Sequence, residues 1–348
     1  MKPVKTRALA AAVAMLSLAV LAACENGTSR PVQQRTGSAF KGYYDSLRGK
    51  RVGFVPIAMG FDLTEAWHAG MQRQAQELGY EIVVRDPNWS IETGIQAINS
   101  LIADKPDVLV IQNNDGRSYR RAIQRAMATG IPVIQVQQRI DTPSNFFVGP
   151  DFADIGARSA QAMREYCGRP DAPSKKIALV QGSLTAPASM DMLAGVESEL
   201  EAHPGLVVVS SQATEWDATK AYQIMSTVLK KHADLCGVIG FWDVTDVGTA
   251  GAIREAGLQG KVALITSGGG NRRAACDRIR SGEITLYYSY NVAGQVRDLN
   301  TAIKTLLQAG PQQAVRPVAL VNPLIRIDRD TLAPASCWTL EELRQSGG

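Results

Sequence analysis

From Arg51 onward, short apolar runs alternate with stretches in which apolar residues recur every three to four positions. The short runs predict strands at 51–57, 80–85, 107–112, 132–136, 176–181, 206–210, 237–241, 262–266 and 284–288. The periodic stretches predict helices near 63–78, 91–104, 117–129, 154–167, 187–202, 217–231, 245–257, 271–281 and 293–309. Some runs are apolar throughout, as in Val108-Leu109-Val110-Ile111, which suits parallel strands buried on both faces. Strand and helix in alternation predict an α/β fold of doubly wound parallel sheets. Ligands of such sheets sit beyond the carboxyl ends of the strands. The loops at 57–64, 112–117, 135–141, 182–190, 212–217, 241–246, 267–272 and 287–291 are therefore the candidate site.

The pattern also repeats. Residues 88–115 and 215–243 each carry a Trp, a helix of similar apolar spacing, an Asp, an apolar strand and a closing Asp. Trp89 answers Trp216, and Asp115 answers Asp243. Two lobes of common design follow from that echo.

The amino terminus differs in kind. Lys2, Lys5 and Arg7 precede a run from Ala8 to Leu21 that is apolar apart from Ser17. The run is shorter than the roughly 20 residues a spanning helix needs, and it reads as a signal peptide over 1–23. Its end, Leu21-Ala22-Ala23-Cys24, resembles the lipobox of bacterial lipoproteins, which implies acylation of Cys24 as the only membrane attachment. Residues 24–48 are polar and aperiodic and are expected to form a flexible tether.

Composition narrows the function. Of 348 residues, 45% are hydrophobic and 20% charged, which allows a large core and about two domains. Removing Lys2, Lys5 and Arg7 takes the net charge from +4 to +1, too little for a nucleic-acid partner. The three histidines, His68, His203 and His232, stand in no nucleophile turn, P-loop or HExxH pattern. No enzyme, catalytic residue, cofactor or metal site is expected. Cys167, Cys236, Cys276 and Cys337 remain after Cys24. An even count in an exported chain predicts two disulfides, with three connectivities open.

Between 50 and 330 the chain resembles the type I periplasmic binding proteins, in their ribose- and galactose-binding branch. The segment RVGFVPIAMGFDLTEAWHAGMQRQAQELGYEIVV is similar to the family's first strand, ligand loop and helix. KPDVLVIQNND, ATGIPVIQVQQ, VGPDFADIGARSA and GVIGFWDVTDVGTAGAIREAG follow in the family's order. The resemblance implies lobe one at 49–150 and 289–322, and lobe two at 151–288 and 323–348. The chain would pass between lobes near Pro150, Ser289 and Asn322. It further implies pairing of Cys167 with Cys236 and of Cys276 with Cys337, all within lobe two. It implies a monomer in the periplasm that takes a sugar or polyol to the permease of an ABC transporter. A sensor role, presenting the solute to a chemoreceptor or sensor kinase, fits the same lobes.

The family recognises sugars with stacked rings and bidentate polar side chains. By resemblance, Phe61, Trp216, Trp242 and Tyr288 are the candidate rings. Asp62, Gln137, Gln138, Met190, Asp243 and Gly268 are the other candidate lining residues. Asp62 is expected to cap the helix starting at Leu63, and Asp243 either to cap a helix or to touch ligand. Trp67 is assigned to the core, and Trp89 to a structural position away from the cleft. The charged part of the pattern is depleted. Gln137-Gln138 stand where the ribose-type pattern has Asp-Arg, and Met190-Asp191-Met192 where it has Arg. Thr266-Ser267-Gly268-Gly269-Gly270-Asn271 stands where it has Gly-Phe-Asp. This points to recognition by amides and rings, with a less hydroxylated ligand as an alternative to an ordinary sugar. Asn271-Arg272-Arg273 at a helix start could meet an anion.

Overall fold

The computed structural model describes residues 40–310 and 316–345. The predicted signal peptide and Cys24 lie outside these residues. Within the expected tether, Lys41–Leu47 forms a short helix with an ion pair between Lys41 and Asp45. Seven residues are too few to show helical periodicity in a sequence.

Two six-stranded sheets carry the chain. The first contains β1 (Arg51–Val55), β2 (Glu81–Val84), β3 (Val108–Ile111), β4 (Val133–Val136) and β5 (Phe146–Gly149), joined later by β11 (Val318–Val321). Their order is β11-β5-β4-β3-β1-β2, parallel throughout. The second contains β6 (Lys176–Gln181), β7 (Val207–Ala213), β8 (Gly237–Gly240), β9 (Ala263–Gly268), β10 (Leu286–Ser289) and β12 (Ile325–Ile327). Its order is β12-β10-β9-β8-β6-β7, and only β12 runs antiparallel. The apolar run of β3 is buried at every position, as its central place requires. Strands β5, β11 and β12 carried no expectation. Two are four residues long and one is three, and β11 and β12 are edge strands whose side chains are mostly exposed, Ile327 of β12 excepted.

The chain passes between sheets three times. After Gly149, Asp151 caps the helix Phe152–Cys167, accepting from the backbone N–H groups of Ala153 and Asp154. After Ser289, Asn291 in left-handed conformation caps Val292–Ala309 through the N–H of Gly294. The third passage joins β11 to β12. Side-chain caps at the first two passages give the arriving helix a fixed start. Helix Val292–Ala309 then packs on Asp62–Leu78, where Trp67 is fully buried and donates its indole N–H to Gln295 Oε1 at 2.9 Å.

Both disulfides are present, Cys167–Cys236 and Cys276–Cys337. The second anchors the carboxyl-terminal tail, helped by Trp338 Nε1 donating to the Gly269 carbonyl at 2.7 Å. Beyond it the tail departs from a simple assignment of 323–348 to the second lobe. Helix Leu340–Gln345 packs on Asp62–Leu78 of the first sheet's layer, and Arg73 Nη1 donates to the Leu343 carbonyl. Glu342 pairs with Arg272 of the second lobe at 2.6 Å.

A buried polar cluster fixes the loops after β8 and β9. Asp246 accepts from Thr249 and Thr266 at 2.8 and 2.6 Å. Asp243 accepts from Tyr287 at 2.6 Å, and the Tyr287 oxygen accepts from the Gly270 N–H. Arg278 donates to the carbonyls of Asp243 and Asp246. Burial pushes the Asp243 carboxyl up to about 6 and that of Asp246 to about 7, against their hydrogen bonds and the Arg278 charge.

Two predictions follow from these features. Cys337→Ser should lower stability by about 2–4 kcal/mol, as expected for opening a loop of this length, read as a lower urea midpoint. An unchanged midpoint would deny the tail its anchoring role. Secondly, Asp243 and Asp246 hold their protons more tightly in the folded chain than the ordinary aspartate value of 3.8 allows. Their contribution to stability is full below about pH 4 and is lost as pH rises through 6 and 7. The urea midpoint should therefore be higher at pH 5 than at pH 8, and Asp246→Asn should shrink that difference. An identical pH profile in the variant would exclude Asp246 as its source.

Candidate functional site

Strained backbone marks the site. Asn88 and Trp89 have φ of 47° and 70°, and Glu215 and Trp216 have φ of 54° and 63°. Left-handed conformations are uncommon outside glycine and unfavourable for bulky side chains. Here each pair is over-determined by its surroundings. Asn88 N–H is held by Asp86 Oδ1, Trp89 N–H by the Ile57 carbonyl, and the Trp89 carbonyl by Asn114 Nδ2. In the second copy, Thr214 and Glu215 N–H groups bond the carbonyls of Gln181 and Gly182. Each pair is followed by an N-cap, Ser90 for Ile91–Asp104 and Asp217 for Ala218–Lys231. The Trp216 ring lies so close over Gly182 that a Cβ there would stand 2.0 Å from it. Only glycine fits beneath the ring.

The two tryptophans meet at one place. Phe61 stacks on Trp89 with centroids 5.7 Å apart and planes at 23°. Trp242 meets Phe61 and Trp216 edge-on, each at 5.7 Å, and Trp89 at 6.1 Å. Phe61 and Trp89 come from loops of the first sheet, Trp216 and Trp242 from loops of the second. Together they line a cavity with Ile57, Leu63, Phe152, Ala188, Phe241 and Tyr290. Trp89 was expected to be structural. It lies in this ring cluster instead and is 41% exposed, because the left-handed pair turns it off the strand end as it does Trp216.

The polar lining consists of Gln112, Gln137 and Gln138, and no charged side chain lines the cavity. Gln112 Oε1 accepts from the Ile57 N–H at 3.0 Å. Gln138 Oε1 accepts across the cleft from the Ala188 N–H at 3.2 Å. Gln137 also has a left-handed backbone, with φ of 65°, and is 3% exposed. Its Oε1 is buried without a hydrogen-bond partner. Amide side chains both donate and accept, so these three suit a ligand bearing hydroxyl or ether oxygens.

The other expected site residues lie elsewhere. Met190 is 52% exposed and borders a separate recess with Asp115, Arg117 and Arg139. The missing Cβ of Gly268 would strike Tyr287 and Asp243 within 2.4 Å, so its role is close packing. Asp243 is buried under its tyrosine partner and caps no helix, for the N-cap of Asp246–Glu255 is Thr245. Asp62 is itself the first residue of Asp62–Leu78 and gives no cap; its carboxylate accepts from Asn271 Nδ2 of the other lobe. Asp62 and Asp243 border a second recess with Trp242, Asn271 and Arg273. Tyr288 donates to the Arg158 carbonyl and lies outside the aromatic cavity; Tyr290, two residues on, lines it. Gln112 and Tyr290 went unremarked in the sequence although both lie at or beside a loop after a strand. Asp115 holds its own turn, accepting from the N–H groups of Arg117 and Ser118.

Comparison with known proteins places this geometry. Residues 52–311 of the 348 match the model of the periplasmic binding protein domain. A D-ribose/D-allose-binding protein of Pseudomonas aeruginosa is 26% identical over 63% of this chain and 69% of its own length. A xylitol-binding protein of Mycolicibacterium smegmatis is 25% identical over 61% of this chain and 60% of its own. In structure, an ABC transporter solute-binding protein from Burkholderia graminis, solved with D-arabinose, matches with a TM-score of 0.73. That match has 21% identity and covers 83% of this chain and 99% of the other. The two lobes, the three passages between them and the match across 52–311 agree, and the chain belongs to the periplasmic binding protein family.

Proposed function

We propose that this protein captures a small sugar or sugar-like polyol between its two lobes and delivers it to an ABC importer. The observation that carries the reading is the cavity where Phe61 and Trp89 of one lobe meet Trp216 and Trp242 of the other over three glutamines. Rings stack on the C–H faces of a sugar, and amides bond its oxygens. Each lobe supplies about half of the contacts, so binding favours the closed arrangement by as much as the ligand prefers it. The relatives named for ribose, allose and xylitol and the neighbour holding D-arabinose support a sugar or polyol. Residues 1–24 support export and a lipid anchor at Cys24, which would keep the protein at the cell-envelope membrane where the permease lies.

The reading predicts that sugars or polyols raise the melting temperature of the protein lacking residues 1–24. A ligand at a hundred times its Kd stabilises by about 2.7 kcal/mol. A shift given only by compounds without hydroxyl or ether oxygens would refute the sugar class. Trp216→Ala should weaken binding at least tenfold in calorimetry while the unliganded melting temperature stays within a few degrees of the parent. Retained affinity would remove Trp216 from the site, and an unfolded variant would assign it to the core.

A further inference from the structure

We propose that the carboxyl-terminal tail is a strap across the two lobes. Fastened to the second lobe by a disulfide, it grips the first through its last helix and favours the closed arrangement. The proposal concerns lobe movement and holds whatever the ligand is.

The two lobes touch at several places around the cleft. Trp242 of the second lobe meets Phe61 and Trp89 of the first. Gln138 Oε1 accepts from the Ala188 N–H at 3.2 Å, the Gly116 N–H donates to the Thr185 carbonyl at 2.9 Å, and Asn271 donates to Asp62. This is a closed arrangement, and bending at the three chain passages would open it. The tail adds a fourth connection, one that can break and re-form.

Its hold on the second lobe is dense. Cys337 is bonded to Cys276. Trp338 pairs with the loop after β9: its carbonyl accepts from the Arg272 N–H at 2.7 Å, and its own N–H donates to the Gly270 carbonyl at 3.3 Å. Its indole N–H reaches the Gly269 carbonyl. The helix Leu340–Gln345 begins at once. Thr339 and Glu342 form a reciprocal cap, the Thr339 N–H donating to Glu342 Oε2 at 2.8 Å and the Glu342 N–H to Thr339 Oγ1 at 3.2 Å. The other carboxylate oxygen of Glu342 accepts from Arg272 at 2.6 Å. The first turn of the helix is thereby fixed to the second lobe.

The next residue belongs to the first lobe. The Leu343 carbonyl accepts from Arg73 Nη1 at 3.2 Å, and the helix packs along Asp62–Leu78. Glu342 and Leu343 are thus tied to opposite lobes with no chain between them to take up slack. Consecutive Cα atoms stand about 3.8 Å apart. Once the lobes part here by more than the side chains of Arg73 and Arg272 can follow, one grip must let go. On the second lobe a covalent bond backs the grip, whereas on the first it is one hydrogen bond and the packing of a six-residue helix, so the first-lobe grip releases. Both the Arg272–Glu342 pair and the helix are partly exposed, and exposed pairs are individually weak. A strap of that strength biases the lobe equilibrium without locking it, as repeated opening requires.

The test compares two ligand-free proteins lacking residues 1–24: the parent, and a form ending at Thr339, which keeps the disulfide and Trp338. Small-angle X-ray scattering reads lobe separation, and tryptophan fluorescence reads the contacts of Trp242 with Phe61 and Trp89. Truncation should shift the ratio of open to closed protein about three- to tenfold toward open, seen as a larger radius of gyration and altered emission. A folded truncated protein with the parent's scattering and emission would overturn the proposal. So would a lower melting temperature with neither signal moved, which would give the tail a stabilising role alone. Arg73→Ala combined with Glu342→Gln loosens both grips while keeping the whole tail, and should open the lobes in the same direction by a smaller factor. If the truncated protein does not fold, that double variant decides, and scattering and emission equal to the parent's would overturn the strap.

Discussion

Parallel pairing forces every loop that leaves a strand to the same edge of its sheet. Both sheets here are parallel in all pairs but one, so each gathers its strand-following loops on one side. Almost everything that lines the cavity comes from those loops: Ile57 after β1, Gln112 after β3, Gln137 and Gln138 after β4, Trp216 after β7, Phe241 and Trp242 after β8. The one antiparallel strand, β12, lies at an edge and contributes no lining residue. The site is thus a consequence of the topology, and the sequence has only to choose what each loop presents.

What the loops present depends on backbone as much as on residue type. Trp89 and Trp216 stand at matching positions of the internal repeat, and each follows another non-glycine residue with positive φ. Such pairs persist only where the surroundings hold them, and strain of this kind concentrates at binding sites. Trp89 was read as structural because its loop was judged too far from the cleft. The repeat argued otherwise, since a duplicated unit repeats its backbone geometry together with its side chains. Asn88 is a residue type that tolerates left-handed backbone, but Glu215 gives no such hint, and that turn is what aims the two rings.

The fold was largely legible for a physical reason. Strands such as Val108–Ile111 are buried on both faces and read as unbroken apolar runs. Short edge strands such as β11 are exposed and carry no such signature. The Cys167–Cys236 and Cys276–Cys337 disulfides agree with what the family resemblance implied. The cavity was less legible because proximity in sequence is a poor guide to sharing a pocket. Gly268 and Tyr288 lie in the right loops or beside them, yet packing against Tyr287 and the Arg158 carbonyl uses them up. Met190 lies on the helix Pro187–Ala202, and its neighbour Ala188 reaches the cavity in its place.

Trp242 and Asp243 show the same separation at its sharpest. Adjacent residues that both border the second recess, they differ at the aromatic cavity: the Trp242 ring meets the other aromatics there, while the Asp243 carboxylate is buried against Tyr287. That division explains how a loop can be rigid and its cavity uncharged at once. The acids that fix the loop, Asp243 and Asp246, are paired with hydroxyls and lie near Arg278. Burial nevertheless raises both carboxyls above the ordinary aspartate value, so these partners offset their charge only in part. The cavity itself is left with aromatic rings and three uncharged amides, whose hydrogen bonds are weaker than ion pairs and more demanding of geometry. Selectivity in such a site comes from matching donors to acceptors within a closed space, where each unmatched group counts against binding. The polar cluster fixes the loop that carries Trp242, and the rings and amides are what that loop and its neighbours present to the cavity.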